Sequence, residues 1–407
     1  TKFVVDAFSY GKISGCLGYF LTHFHSDHYH GLNEGWCHGP IYCSQITANL
    51  VAQQLKVRDI YLHVLPMNEP TFVSSNIKVT LIDANHCPGS VLFIFDIQRK
   101  LEEADVDNNI WVRHLHTGDF RANPQMCLHP LLRQPENPPI DHLYLDTTYL
   151  NAKYGFPAQE ECIQAACKVI EGYMATTNNN QQVTKPSAFD EMMSKAKVQR
   201  RIQGLLVVVG SYSIGKEKVF YSIAKLLGSK IFVTSKKWAI LMCQENKELA
   251  NLLTLDQMEA QVHVLPLGDI KAENMHAYLK SLSPRFTNIV AFKPTGWTFQ
   301  ASKAQETDME IGSLSQVTKA PMDRDLTLTP RHSSPSIKIY GVPYSEHSSF
   351  RELASFIASL DIKHVIPTVN NESENARKRM MMYLDKWQNE KQGKTIEIVP
   401  YPAVTHW

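Results

Sequence analysis

Short apolar runs that end in polar, reactive clusters recur through the first 150 residues. Leu17 to Leu21 runs into Thr22 to His28, Ile77 to Ile82 into Asp83 to Gly89, and Val112 to Leu115 into His116 to Arg121; Ile140 to Leu145 then delivers Asp146. Each run has strand length and is rich in β-branched or aromatic residues, which predicts the strands of a sheet core. Polar residues that follow several neighbouring strands converge on one sheet edge, where loops on a rigid scaffold carry reactive groups.

From Asn151 onward the pattern changes. Pro157 to Tyr173 predicts a helix, and the polar stretch Thr176 to Ser187 a mobile surface excursion. Leu205 to Val209 is nearly all apolar, as expected of a strand covered on both faces. A helix over Gly215 to Leu227 and a strand over Lys230 to Thr234 continue an α/β alternation. Gln300 to Ser336, with Pro321, Pro330 and Pro335, is expected to be a partly disordered insertion. Strands at Ile337 to Tyr340 and Val365 to Val369 and a helix over Glu372 to Glu390 close the chain. The organisation expected is a first domain over 1–150, an inserted domain over 151–340 with flexible loops near 176–200 and 300–336, and a return to the first domain over 341–407.

Composition adds limits. The chain has 407 residues, 43% hydrophobic and 20% charged, as in ordinary globular proteins. No apolar run reaches membrane-span length, and Thr1 to Tyr10 lacks the apolar core of a signal peptide. The start at Thr1, without Met, predicts a chain shortened at its N-terminus. A net charge of +1 argues against a passive nucleic-acid wrapper but leaves an enzyme open, since a local basic track or metal ions can neutralise phosphates. The 8 cysteines include no CxxC pair and are expected to be reduced thiols of an intracellular protein, poor as metal ligands. Nothing in the sequence specifies an oligomer, so a monomer is expected.

The densest chemistry is in His23, His25, Asp27 and His28, within THFHSDH. If Phe24 faces the core, His23 and His25 point to one centre, while Asp27 and His28 enter a turn that offers a second ligand set. Imidazole with carboxylate suits zinc or a similar divalent ion. A structural zinc site would stop at four ligands, whereas this chain offers more. His86 sits in DANHCPGS, Asp119 in HTGDFR, Asp146 in YLDTTY and His347 in YSEHSS. The Asp119 carboxylate can bridge two ions, which an imidazole cannot; His116 is either a supporting or a buried structural histidine.

These pieces resemble the metallo-beta-lactamase superfamily, whose HxHxDH motif is matched by His23, His25, Asp27 and His28. The resemblance implies an αββα sandwich with an inserted beta-CASP α/β domain. It also implies one or two divalent ions, zinc expected: a first on His23, His25 and His86, a second on Asp27, His28 and His347, and Asp119 between them. Asp6, in VVDAF, looks like the superfamily's early supporting aspartate. Asp146 and His347 match the first two motifs of the beta-CASP branch, and Val369 resembles the valine of its DNA-processing members. The closer resemblance, through YFLTHFHSDHYHGL, LIDANHCPGSV, HTGDFRA, GSYSIGKEKVF, FKPTGW and PYSEHSS, is to the DNA interstrand-crosslink repair exonucleases. Artemis-like endonucleases and Apollo-like exonucleases share parts of it.

In Gly210 to Lys216 a strand ends and a helix begins, so the hydroxyls of Ser211, Tyr212 and Ser213, the close backbone at Gly215 and the cation of Lys216 suit a phosphate. The bland alternative is a capped helix with an exposed lysine. The spacing is not that of a P-loop. Lys293 and Pro294 to Trp297 either touch DNA or bury Trp297. Lys195, Lys197, Arg200, Arg201, Lys236 and Lys237, and Arg377, Lys378 and Arg379, are either a DNA track or solvated faces.

The resemblance implies that Ser211, Ser213 and Lys216 hold a terminal 5'-phosphate of single-stranded or duplex DNA. The ions activate water against the next phosphodiester, Asp27 orients it, and nucleotides leave 5'-to-3'. Asp146 either orients a ligand histidine or approaches the second ion. A nuclear location, and DNA repair proteins reached through regions outside this chain, are expected on the same ground. Alternatives are a beta-CASP endonuclease on DNA hairpins, overhangs or RNA, a small-molecule hydrolase and a non-catalytic DNA-end scaffold.

Overall fold

The computed structural model describes residues 3–99, 110–175, 204–296, 312–319 and 325–407. The chain divides into two compact units, one of Thr1–Gly155, Ala301–Met322 and Glu346–Trp407, the other of Phe156–Gln300 and Asp323–Ser345.

The first unit holds two sheets. One is parallel and four-stranded, in the order Phe3–Val5, Gly18–Phe20, Ile41–Cys43, Leu62–Val64. The other is six-stranded and mixed, in the order Ile362–Pro367, Ile140–Leu145, Ile110–His116, Val91–Arg99, Ile77–Asp83, Thr71–Ser74. Val91, Phe93 and Phe95 point to one side, where Phe20 meets Phe93 and Phe95 at ring-centroid distances of 5.1 and 5.0 Å. Leu92 and Ile94 point to the other, into a core shared with Leu353 and Phe356 of helix Phe350–Ala358 and Leu384 and Trp387 of helix Glu374–Lys391. Burial of both faces explains why Val91 to Phe95, the first part of this strand, read as an unbroken apolar run. Helix Gln45–Leu55 lies against Leu62–Val64. The layers are those of the αββα sandwich that the resemblance implies.

The last strand of the six-stranded sheet comes from the C-terminal segment and ends at Pro367, short of the expected Val369: Thr368 N still donates to Leu145 O at 3.0 Å, but Val369 N turns to the Thr147 side chain at 3.3 Å. Within the stretch expected to be soft, Leu314–Val317 forms a short helix with a complete Ser313/Gln316 capping box, and Leu314 and Val317 pack on the core. Pro330–Ser333 pairs antiparallel with Ile337–Val342. The expected loop 176–200 and residues 300–311 lie outside the described residues, as do Trp297, Lys195, Lys197, Arg200 and Arg201.

The second unit is built on a seven-stranded sheet, in the order Leu253–Thr254, Lys230–Phe232, Ala260–Pro266, Leu205–Ser211, Asn288–Pro294, Ile337–Val342, Pro330–Ser333. All but the last are parallel. Every residue of Leu205–Ser211 is buried: Val207 and Val209 meet Phe220 and Ile223 on one face, and Leu206 and Val208 meet Met275 and Phe286 on the other. The helix expected from Gly215 begins at Glu217, because Gly215 and Lys216 have φ of 103° and 69°, in the left-handed region. Among the described residues no helix is long and apolar enough to cross a membrane.

One buried cation is expected to make the first unit's stability pH-dependent. Lys391 Nζ donates to Ile357 O and Leu360 O at 2.6 and 2.5 Å. Burial, opposed by the charge of Asp361, lowers its pKa from 10.5 to about 8. Between those values the unfolded chain binds more protons than the folded one, so this lysine makes stability rise with pH across that window, by roughly 3 kcal/mol at most. Urea unfolding at pH 7.5 and pH 10 should show a larger gain for the wild type than for Lys391→Met; equal gains would refute the assignment.

Candidate metal centre

The strand Gly18–Phe20 hands the chain to Thr22, His23, Phe24 and His25, and helix Ser26–Tyr29 follows at once. Phe24 is buried in contact with Tyr29, which leaves His23 and His25 to point the same way. His23 Nε2 lies 2.9 Å from His25 Nδ1, and His86 Nε2 lies 3.0 Å from the same atom. The Asp119 carboxylate occupies the middle, with Oδ2 at 3.3 Å from His28 Nε2, 3.8 Å from His23 Nε2 and His86 Nε2, and 4.0 Å from His347 Nε2. Three groups of side chains are spaced to hold a cation: His23, His25, His86 and Cys87; His23, His28 and Asp119; His86, Asp119 and His347.

The outward ring nitrogens explain why four imidazoles turn Nε2 inward. Thr22 donates both its amide, at 2.9 Å, and its hydroxyl, at 2.7 Å, to Asp6. With its proton spent, Thr22 Oγ1 can only accept at 2.9 Å from His23 Nδ1. His28 Nδ1 donates to Asp6 Oδ2 at 2.7 Å, His86 Nδ1 to the Glu346 carbonyl at 2.8 Å and His347 Nδ1 to Asp146 Oδ2 at 2.9 Å. Each proton held on the outside leaves a lone pair at the centre, which is how ligand histidines are prepared for a metal. Burial, then the charges of the surrounding imidazoles, hold His23 well below the ordinary histidine pKa. For His28 burial acts downward, but hydrogen bonds to Asp119 and Asp6 and their charges lift it to about 11. The same carboxylates attract a divalent cation, which competes with that proton. The donor set therefore fits a divalent metal cofactor.

Asp146 is buried and lies outside these three groups. Its Oδ1 accepts from Thr148 N and Oγ1 and its Oδ2 from His347 Nδ1, so it orients the histidine. The charge of His347 and these bonds overcome burial and hold Asp146 below the ordinary carboxylate pKa. Asp27 stands at the rim, its side chain 77% exposed and its Oδ2 3.7 Å from His28 Nε2. Cys87, set aside in the sequence for want of a CxxC partner, lies with His23, His25 and His86; its position directly after His86 was the available signal. His116 accepts from Gly118 N at 3.0 Å and stacks on Tyr144, and burial lowers its pKa to about 4. Gly118, at φ 54°, leaves 2.7 Å between a would-be Cβ and Thr22 Cβ, so any side chain there presses on the residue that sets His23.

In the second unit the loop after Leu205–Ser211 is held from inside. Lys237 Nζ donates at 3.0 Å to Ser211 Oγ, Tyr212 O and Ser213 O. The single Ser211 hydroxyl proton faces Gly215 O and Tyr212 O, so Ser211 shapes the loop and has no proton left for a phosphate. Gly215 N donates to Glu217 Oε1 at 3.0 Å. Tyr212 and Ser213 are exposed, and Lys216 Nζ lies 5.5 and 5.3 Å from the ring centroids of Tyr212 and Tyr344. On the last helix Lys378 pairs with Glu374 at 2.6 Å, both well exposed.

Comparison with known proteins agrees with this arrangement. The family described as DNA repair metallo-beta-lactamase matches residues 247–373. The DNA cross-link repair protein pso2/snm1 of Schizosaccharomyces pombe is 40% identical over 395 residues, covering 96% of this chain and 64% of that protein. The DNA cross-link repair protein SNM1 of Arabidopsis thaliana is 38% identical over 387 residues, covering 95% of this chain and 68% of that protein. This chain belongs to the metallo-beta-lactamase/beta-CASP family of DNA cross-link repair proteins. Another relative, the 5' exonuclease Apollo of Gallus gallus, is 28% identical over 372 residues, 91% of this chain and 63% of that protein. The cross-link repair family member described here thus spans about two thirds of the length of these relatives. Its family match takes in Lys293, His347 and Val369, whose carbonyl accepts from Thr147 Oγ1 at 2.6 Å, beside Asp146.

Proposed function

We propose that this chain is a metal-dependent phosphodiesterase that removes nucleotides 5'-to-3' from 5'-phosphorylated DNA and serves interstrand-crosslink repair in the nucleus. The observation that carries the reading is the convergence of four imidazole Nε2 atoms on the Asp119 carboxylate. His23, His25 and His86 would hold one ion and His28, Asp119 and His347 a second, whereas Asp27, expected as a ligand of the second, stands outside the three cation-spaced groups among the described residues; zinc suits the imidazole-rich donors. Bound there, the ions supply Lewis-acid stabilisation of the phosphate and a water acidic enough to react near neutrality.

The chain's own residues do the rest. Asp6, through Thr22 and His28, and Asp146, through His347, keep the rings turned inward. Asp27 is exposed at the rim, where a carboxylate can take a proton from an incoming water. In the second unit Ser213 offers a hydroxyl and Lys216 a cation to a terminal 5'-phosphate, on a loop fixed by Lys237. The relatives' printed names, cross-link repair protein and 5' exonuclease, support this substrate. The test is cleavage of end-labelled single-stranded DNA by the zinc-replete wild type and an Asp27→Ala, His28→Ala double variant. Mononucleotide release from 5'-phosphorylated DNA, much less from 5'-hydroxyl DNA and none by the variant, is expected. Intact DNA, or preferred cleavage of RNA of the same sequence, would refute it.

A further inference from the structure

Three histidines outside the metal centre stand in one row on the six-stranded sheet. His114 lies in Ile110–His116, His142 in Ile140–Leu145 and His364 in Ile362–Pro367, adjacent strands that run parallel in a register setting His114 beside His142 and His142 beside His364. The row begins at Phe95, which is paired with His114 and meets Phe20 of the four-stranded sheet at a ring-centroid distance of 5.0 Å. Residues directly opposite one another share a face, so the imidazoles continue the face that the four-stranded sheet covers at Phe95. That cover gives out along the row: His114 and His142 are half-buried, and His364 is exposed.

The spacing is that of imidazoles able to share an ion. Ring centroids are 4.7 Å apart for His114 and His142 and 5.2 Å for His142 and His364, against 4.6, 4.8 and 4.9 Å among His23, His25 and His86. The planes in the row meet at 49° and 35°, where those of the metal centre meet at 83° to 86°, and the three do not form one of the cation-spaced groups as they stand. Gathering their nitrogens takes a turn of the rings about χ2, which for histidine is a broad torsion. His142, in the middle, has its Nδ1 shielded from solvent and without a hydrogen-bond partner among the described residues. A buried polar atom in that state calls for an explanation, and a lone pair kept for a cation supplies one. The nearby carboxylate of Asp141 is already taken up by Arg113 N at 2.9 Å and Lys363 Nζ at 2.8 Å. The donors on offer are therefore imidazole nitrogens, which select zinc, copper or nickel over magnesium or calcium.

We propose that the row of His114, His142 and His364 is a second metal site, which takes one divalent ion of the zinc class on His142 and its two neighbours. The exposed His364 is the side from which the ion enters. Bound there, the ion clamps together three strands that run on to Asp119, Asp146 and Val369, so it stiffens the scaffold of the metal centre without entering it. The inference stands on the sheet alone and does not depend on the nuclease reading.

The test titrates zinc chloride by calorimetry into protein already loaded with zinc at the metal centre, and counts bound metal after dialysis. One further ion per chain is expected, displaced by excess nickel and not by excess magnesium. His364→Gln, at an exposed position, and independently His142→Phe, which keeps a ring between its neighbours, should each weaken that ion by at least about tenfold, since even the loss of an outer hydrogen-bond partner costs a metal site about ten- to hundredfold. Asp119→Ala, expected to empty the metal centre, should keep the further ion, which separates the two sites. Added zinc should raise the melting temperature of the zinc-loaded wild type more than that of either histidine variant. The proposal is overturned by the absence of a further ion, by wild-type affinity in either histidine variant, by displacement with magnesium, by loss of the ion in Asp119→Ala, or by an equal rise in melting temperature in wild type and variants.

Discussion

Asp119→Ala is expected to lose DNA cleavage by at least about a thousandfold and to release bound metal, with its fold retained. Asp119 is the one carboxylate within the three metal-competent groups among the described residues, and its Oδ2 lies within 4.0 Å of four imidazole nitrogens. Its loss would take the carboxylate out of two of the three groups that could hold a cation. Asp6→Asn should be milder, about ten- to hundredfold in metal affinity, because it loosens His23 and His28 through their outer hydrogen bonds and removes no ligand atom. Metal content after dialysis and cleavage of end-labelled DNA check both. Cleavage by Asp119→Ala within tenfold of the wild type, at full metal content, would show that the centre is organised some other way.

What was legible in the sequence follows from how local each interaction is. The cluster from His23 to His28 lies within six residues, so strand geometry alone could aim its rings. The pairing of Asp146 with His347 joins residues 201 positions apart, and only the fold decides between orienting the ring and approaching an ion. Ser211 was expected to offer its hydroxyl to a phosphate because the sequence shows hydroxyls but not where their protons go; in the folded loop the carbonyls of Tyr212 and Gly215 take that proton. The prolines between 300 and 336 suggested softness, yet the SLSQ segment carries its own cap and an apolar pair that finds the core.

Glu352→Ala is expected to destabilise the first unit by about 3 to 5 kcal/mol, more than any surface change. Arg121, two residues after Asp119, is fully buried and donates to Glu352 through Nε at 3.0 and 3.2 Å and Nη2 at 3.0 Å. Glu352 Oε2 also accepts from Ser349 N at 2.7 Å, closing the cap of the helix that follows His347. Ser348 adds a second stitch, donating its amide to Phe120 O at 3.0 Å and accepting from Ala122 N at 2.9 Å through its hydroxyl. The loop bearing Asp119 and the segment bearing His347 are thereby fixed to each other, although neither Arg121 nor Glu352 is placed to touch a metal. Removing the carboxylate strands a buried guanidinium, whereas an Arg121→Met, Glu352→Leu pair removes both charges and should recover much of the loss. Urea unfolding followed by tryptophan fluorescence, where Trp387 reports on this core, measures the difference. Metal affinity should fall in Glu352→Ala as well, because the spacing of Asp119 and His347 is no longer held. A double variant as unstable as the single one would mean that the pair contributes packing and capping alone, and that its charge does not tie the two halves of the site together.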